Sequence, residues 1–132
     1  DIVYTLPLAD AAASGDALTS NASGVLSWTT MSGGTSWQAV ETGATMTAVA
    51  GEGYFIDTTS NACTATLPAG TIGDEVSFID YARTFDTNNL TVAADGSEKI
   101  YASTDDLTVA VEGSGFTLVF TDSTQGWLLK DK

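Results

Sequence analysis

The sequence predicts an all-β protein, an antiparallel β-sandwich or jelly roll preceded by a short extended segment. Three observations support this prediction. From Ser36 onward, short runs rich in Val, Ile, Thr, Phe and Tyr alternate apolar and polar residues, as half-buried strands do. Gly, Asn, Asp and Pro separate these runs at close intervals. No long stretch repeats apolar residues at helical spacing, and the Ala-rich LADAAASGDAL has room for one helical turn at most.

The runs after Ser36 are the predicted strands. Alternation places the apolar residues of FTLVFTD on one face, and those of DLTVAVE, including Val111, on another, so both faces are expected to meet the core. In EVSFID, Asp80 shares a face with Val76 and Phe78 at the end of the strand, which predicts a residue at the rim. The runs are SWQAVE, TMTAVA, YFIDT, CTATL, EVSFID, NLTVAA, KIYA, DLTVAVE, FTLVFTD and WLLK.

Composition and charge exclude several function classes. The 132 residues, 43% of them apolar, suffice for one ordinary domain with a short appendage. A formal net charge of −13 repels phosphate backbones and anionic lipids, so nucleic acid is not an expected partner. No apolar run approaches the roughly 20 residues of a membrane span, which argues against membrane insertion. The acidic surface is interpreted as a means of keeping a β-rich protein in solution.

Residue types that dominate enzyme and metal sites are scarce. The chain has no histidine and one cysteine, Cys63, which excludes Ser-His and Cys-His nucleophiles and His or Cys zinc sites. Cys63 is predicted to be a small buried apolar residue. Acidic residues near strand ends match no calcium loop, and turn geometry explains them. Nothing places two carboxylates as a glycosidase needs them. The prediction is therefore no enzymatic activity, no cofactor and no metal.

The stretch TTMSGGTSW divides the chain near Gly34, giving an opening segment of residues 1–34 and a β-sandwich of residues 35–132. The opening segment has too few large apolar side chains to bury a core alone, so it is expected to be ordered against partners. The alternative is a disordered tail. A first residue Asp1 in place of Met suggests a processed product or a fragment of a longer polypeptide, and the fragment is favoured.

The opening segment contains YTLP, AD, the step from Gly15 to Leu18, and GVLSW. In this order they resemble the repeat of bacteriophage tail-fibre proteins, written LP-x-x-D-G, then G-Q-V-L, then G-x-L-x-W. This chain departs from the pattern at Ala11, where the repeat has Gly, and at Asp16-Ala17, where the repeat has Gln-Val. The residues that match are Leu6, Pro7, Asp10, Gly15, Leu18, Gly24, Leu26 and Trp28.

A second resemblance covers residues 45–129. The residues contain a strand ending in TLP, a GD turn, an FID strand, an NNLT strand, a DG turn and a closing GW. This pattern is similar to a β-domain that recurs at the ends of tail-fibre and other structural proteins of tailed phages. Together the two resemblances imply the C-terminal part of a tail fibre, a non-enzymatic structural protein of the virion. Its implied partners are two copies of itself, other virion proteins, and a glycan or protein of the bacterial surface.

A fibre gives the opening segment a means of becoming ordered. Three copies around a threefold axis would bury its large apolar residues against one another, and the many small residues would let the chains approach closely. The expected homotrimer interface contains Leu6, Leu18, Leu26 and Trp28.

The loop DYARTFDTNN is the richest candidate for host contact, because it combines aromatic, cationic and amide side chains of the kinds that bind sugars or protein surfaces. The alternative is structural: the aromatic residues pin the loop to the sandwich, and the arginine pairs with a neighbouring acid. Trp127 is expected in the core. The candidate receptor-binding residues are Tyr81, Arg83, Phe85, Asn88 and Asn89.

Two other functions remain compatible with the sequence. A capsid decoration or head-fibre protein would use the same trimer on the shell of the particle. A free carbohydrate-binding module would bind glycans without the opening segment.

Overall fold

The structure, a computed structural model, describes residues 3, 5–11, 16–21, 23–30 and 33–131. These residues form eleven β-strands and no helix, which confirms the all-β class. The chain consists of two compact units, Asp1–Gly34 and Thr35–Lys132. The first contains β1 (Asp16–Ser20) and β2 (Leu26–Thr30). The second contains β3 (Ser36–Trp37), β4 (Thr45–Thr47), β5 (Glu52–Ile56), β6 (Cys63–Thr66), β7 (Glu75–Asp80), β8 (Leu90–Ala93), β9 (Leu107–Val109), β10 (Gly115–Phe120) and β11 (Trp127–Asp131).

The opening unit is built on an antiparallel hairpin of β1 and β2, in which Leu18 pairs with Trp28. Asn21 shapes the turn, because its side-chain oxygen accepts hydrogen bonds from the backbone N–H groups of Ser23 and Val25 at 3.0 and 2.9 Å. The strands of this hairpin were not predicted. Residues 12–15, which include the Gly15 of the fibre resemblance and part of the Ala-rich stretch, lie outside the described residues.

The second unit consists of two sheets. One has the strand order β11-β10-β7-β5-β3 and the other the order β4-β6-β8-β9. From β3 to β8, successive strands alternate between the sheets, and neighbours within each sheet are parallel. The chain therefore winds around one core, each crossover between parallel neighbours passing through a strand of the opposite sheet.

The sequence predicted antiparallel pairing, but four pairs of neighbouring strands in this unit are parallel. The β-sandwich prediction is consistent with the two sheets, but these are mixed, with antiparallel pairs only where β9, β10 and β11 join. Alternation along a sequence identifies a strand and its buried face. It does not identify the partner, because a turn at the end of a strand can lead back along the same sheet or across to the other one.

The core lies between the two sheets. Cys63 and Trp127 are buried as predicted, and so is the face of β10 that carries Phe116, Leu118 and Phe120. Val111 was expected in the core but is exposed, because β9 ends at Val109 and the chain leaves the sheet there. The largest fully buried side chains are Trp127, Phe78, Phe85, Ile56, Leu67, Leu90, Leu118, Val76 and Val92.

The run KIYA is the one predicted strand of the second unit that does not form. Ile100 makes only isolated bridges to Ser103 and Trp127. Between Ile100 and Ser103 the chain reverses through Tyr101 and Ala102, both with φ above zero, at 52° and 63°. This conformation is typical of a two-residue hairpin turn, although neither residue is the Gly or Asn that usually signals one.

Candidate functional site

The loop of residues 80–89 leaves the five-stranded sheet at the end of β7, beside the connection that leads into β10. The backbone N–H of Asp80 donates to the Ser114 carbonyl at 2.9 Å, and that of Tyr81 donates to the Ile56 carbonyl at 2.9 Å. Because Ile79 pairs with Gly115 across β7 and β10, residues 80–89 and 110–114 lie at the same end of this sheet. The two loops therefore form one surface.

The carboxylate of Asp80 joins the two loops. It accepts hydrogen bonds from the backbone N–H groups of Thr84 at 3.1 Å, Phe85 at 3.2 Å and Gly113 at 2.9 Å. Asp80 is buried, so the prediction of a rim residue was wrong. Without this carboxylate, the three backbone N–H groups would need water molecules as acceptors. We call the carboxylate and its three hydrogen bonds the Asp80 staple.

Four residues in the second half of the loop, Thr84, Phe85, Asn88 and Asn89, are buried or half-buried. Phe85 is fully buried in the core, which corrects its assignment as a receptor-binding residue. The Thr84 hydroxyl lies 2.8 Å from the Thr58 hydroxyl, and the side-chain amide of Asn88 donates to the Thr58 carbonyl at 2.8 Å. Asn89 is half-buried, and its carbonyl accepts from the backbone N–H of Cys63. Phe85 thus fits the alternative interpretation, in which an aromatic residue pins the loop to the sandwich.

The first half of the loop faces outward. The Tyr81 side chain is 58% exposed. Arg83 adopts a left-handed backbone conformation with φ of 58°, and its guanidinium lies 3.3 Å from a carboxylate oxygen of Glu112 on the neighbouring loop. Both partners of this ion pair are mainly exposed, so it contributes at most about 1 kcal/mol and leaves the guanidinium open to a ligand.

A groove of about 480 Å³ begins beside Glu112 and Gly113. Its apolar lining comes from both sheets: β9 contributes Leu107 and Val109, and β11 contributes Leu129. Glu112 thus lies between the groove and Arg83. No signal in the sequence could have paired Arg83 with Glu112, because 29 residues separate them and only the β7–β10 pairing brings them together.

Most of the large apolar residues that the structure describes in the opening unit are exposed. Leu6 is 67% exposed, Trp28 is 39% exposed, and Leu26 is half-buried. With Leu8 and Leu18, the first two line a recess of about 310 Å³. The indole N–H of Trp28 donates to the Ala9 carbonyl at 3.0 Å, which holds the ring at this recess. The recess thus brings exposed apolar side chains together with polar groups, Asp10 among them.

The family model "Bacteriophage T4 gp9/10-like protein, N-terminal" matches residues 4–127, which spans parts of both units. The chain belongs to this family. It is therefore a structural protein of a bacteriophage particle and a component of the virion, related to the baseplate and tail-fibre proteins of phage T4. Among curated proteins, no match is found.

The match to the gp9/10-like family is continuous over residues 4–127, and the family model describes the N-terminal region of its members. It does not divide the chain into a fibre repeat and a separate terminal domain, as the two resemblances did. The virion role implied by those resemblances is confirmed at the level of a phage structural protein. The tail-fibre role, the trimer and the host contact are taken up as proposals below.

Two further findings concern the described part of this gp9/10-like chain. It contains no helix long and apolar enough to cross a membrane, and it brings together no three His, Cys, Asp or Glu residues that could hold a metal ion. Burial raises the pKa of the Cys63 thiol to about 11, with a smaller contribution from the charge of Glu41. The thiol is thus protonated and a poor nucleophile at neutral pH. The absence of enzymatic activity and of a bound metal stays a prediction.

Proposed function

We propose that the chain is part of a tail fibre, that it forms a homotrimer through residues 1–34, and that it presents the loops of residues 80–89 and 110–114 to the bacterial surface. The observation that carries the proposal is the contrast between a sandwich with a closed core and an opening unit whose apolar residues stay exposed in a single chain. Other virion proteins are its further partners. The proposal assigns no catalytic step to the chain.

The exposed residues of the opening unit support self-association. A stable surface rarely leaves Leu6, Leu8 and Trp28 uncovered beside one another, because each loses the free energy of burial. A threefold axis places the same residues of each copy together, so one short segment forms a closed assembly. The fibre resemblance favours three copies over two.

The loops support the host contact. Tyr81 offers an exposed ring, and Arg83 offers a cation in a chain whose net charge is −13. The Asp80 staple and the buried Phe85 hold these two side chains on a fixed backbone, which lowers the entropic cost of binding. In a trimer the site is repeated, so weak binding at each copy gives useful avidity.

Light scattering tests the trimer. The intact chain should have three times the monomer mass at micromolar concentration, and a chain shortened to residues 36–132 should be monomeric, since its core is closed without the opening unit. A monomeric intact chain contradicts the proposed assembly. A trimeric shortened chain assigns the association to the sandwich.

Adsorption to host cells tests the contact. The double substitution Tyr81→Ala and Arg83→Ala should abolish adsorption while the trimer and its melting temperature are retained, because both side chains are exposed. Lys130→Ala is the matched control, since it removes the cation of another exposed ion pair, with Glu75 at 2.9 Å. Normal adsorption by the double variant shows that the contact lies elsewhere.

A further inference from the structure

We propose that the outer face of the five-stranded sheet binds a neutral oligosaccharide, with the ring of Trp37 as the platform on which a sugar stacks. This inference deepens the proposed host contact and rests on it for its biological role. Neither Tyr81 nor Arg83 lines the trough on this face. Sugar binding can therefore be measured on the purified chain whether or not those side chains contact the host.

Strand register places one residue from each strand in a row across this face. Trp37 pairs with Gly53, Gly53 with Ser77, Ser77 with Thr117, and Thr117 with Asp131. Residues that pair directly point to the same side of a sheet, and Val76 and Phe78 on the other side are in the core. A shallow trough of about 210 Å³ runs along the row between Trp37 and Asp131.

Gly53 lets the indole lie against the sheet. A Cβ atom at this position would come within 2.6 Å of the Trp37 ring, so a larger residue would displace it. The ring also stacks on Phe55, with centroids 4.9 Å apart and planes 28° apart. Trp37 is still 45% exposed. Contacts with Phe55 and Gly53 therefore fix the orientation of the Trp37 indole, while part of the ring stays exposed. The exposed part can stack on the apolar face of a sugar ring.

Polar side chains line the trough beside the Trp37 ring. The hydroxyls of Ser77 and Thr117 are 2.9 Å apart on the floor of the trough. Their mutual bond uses one of the two O–H groups. Ser77 is only 6% exposed whereas Thr117 is half-buried, so the Thr117 hydroxyl is the one that an outside acceptor reaches. Asp131 lies at the far end of the trough, and a carboxylate can accept hydrogen bonds from the hydroxyl groups of a sugar. A row of this kind, aromatic at one end and hydrogen-bonding along its length, matches the alternation of apolar and polar surface on a sugar chain.

Charge selects the class of glycan. Asp131 is the charged residue among those that line the trough in the described part of the chain, and the whole chain carries a net charge of −13. Both repel a carboxylate or phosphate on the ligand. The trough therefore complements a neutral oligosaccharide.

Nuclear magnetic resonance tests the inference on the intact chain. The indole N–H signals of Trp28, Trp37 and Trp127 are assigned from single substitutions and followed while maltotriose, cellotriose, triacetylchitotriose or acidic 3′-sialyllactose is added to about 20 mM. At least one neutral trisaccharide should shift the Trp37 signal in a saturable way. The signal of the buried Trp127 should stay in place, and 3′-sialyllactose should leave Trp37 unchanged.

Variants assign the shift to the platform. Trp37→Ala should weaken binding of the responding sugar at least about tenfold, and Trp37→Phe should restore part of it, because a smaller ring still stacks. Ile72→Ala, which removes another exposed apolar side chain of this unit, should bind as the natural chain does. Failure of all three neutral sugars to move the Trp37 signal, or equal binding by Trp37→Ala, overturns the inference. Stronger binding of 3′-sialyllactose overturns its charge argument.

Discussion

The two units differ in how deeply they bury leucine and tryptophan side chains. Leu118 and Trp127 of the sandwich are fully buried, whereas Leu8 of the opening unit is fully exposed and Trp28 is 39% exposed. In the sandwich, strands from two sheets close over one another, so each apolar face has a partner in the same chain. The opening unit has one two-stranded hairpin and no second layer among its described residues. A hairpin alone is marginal in water, which is why the difference points to assembly.

The largest effect that separates the units is expected from their tryptophans. Trp127→Ala should lower the free energy of unfolding of the sandwich by about 3 to 5 kcal/mol, because it leaves a cavity next to Phe120. Trp28→Ala should leave the sandwich transition nearly unchanged and weaken the proposed trimer. Urea unfolding and light scattering of the two variants measure both quantities. Equal effects on assembly would mean that the sandwich joins the copies.

Two glycines of the sandwich separate the cost of backbone strain from the cost of a steric clash. Gly126 and Gly51 both have positive φ, at 74° and 85°. A Cβ at Gly126 would lie 1.9 Å from the Lys99 carbonyl oxygen, whereas a Cβ at Gly51 meets nothing within 4 Å. Gly51→Ala should therefore cost about 1 kcal/mol, the strain of the left-handed backbone alone.

Gly126→Ala should cost clearly more than that, because backbone must also move. It should lower the melting temperature well below that of Gly51→Ala, or prevent the sandwich from folding. Calorimetry of the two variants makes the comparison. Similar melting temperatures would show that the contact between Gly126 and Lys99 relaxes easily.

Much of the sandwich follows from its sequence, because strands and buried faces are local properties. Alternation in FTLVFTD identified the buried face of β10, and a lone cysteine between apolar residues was read correctly as a core residue. The parallel winding could not be predicted in this way, since partner choice depends on where each turn leads. The turn at Tyr101 and Ala102 was also not predicted, because neither residue is a usual turn former.

The candidate site was predicted less well, for a related reason. The loop was recognised by its residue types, but these do not say which side chains point inward. Phe85 is buried, whereas Tyr81 is exposed, and the difference comes from the Asp80 staple and the position of the core. Trp37 belongs to a two-residue edge strand, and its ring rests on a glycine that lies next to it only through the β3–β5 pairing. Contacts of that kind have no local signal.

Asp80→Asn is the next perturbation in size. An amide has one acceptor oxygen where the carboxylate has two, so at least one of the backbone N–H groups of Thr84, Phe85 and Gly113 loses its partner. The free energy of unfolding should fall by about 1 to 3 kcal/mol. Hydrogen exchange should become faster at these three amides. Asp86→Asn, an exposed change in the same loop, is the control, and equal exchange in the two variants would argue against the staple.

The smallest predicted effect concerns Cys63 and pH. Its pKa is about 11 in the folded chain against an ordinary value of 9.0, because burial disfavours the thiolate. The unfolded state thus loses this proton at lower pH, so the stabilising contribution is complete below pH 9 and disappears as the pH rises through about 11. Cys63→Ala removes this contribution and leaves the raised pKa values of Tyr54 and Lys130 unchanged. Between pH 9 and 11 the free energy of unfolding should therefore fall more steeply in the natural chain than in Cys63→Ala. Urea titrations at a series of pH values measure the two slopes. Parallel slopes would mean that the thiol is reached by water in the folded sandwich, contrary to its position between the two sheets.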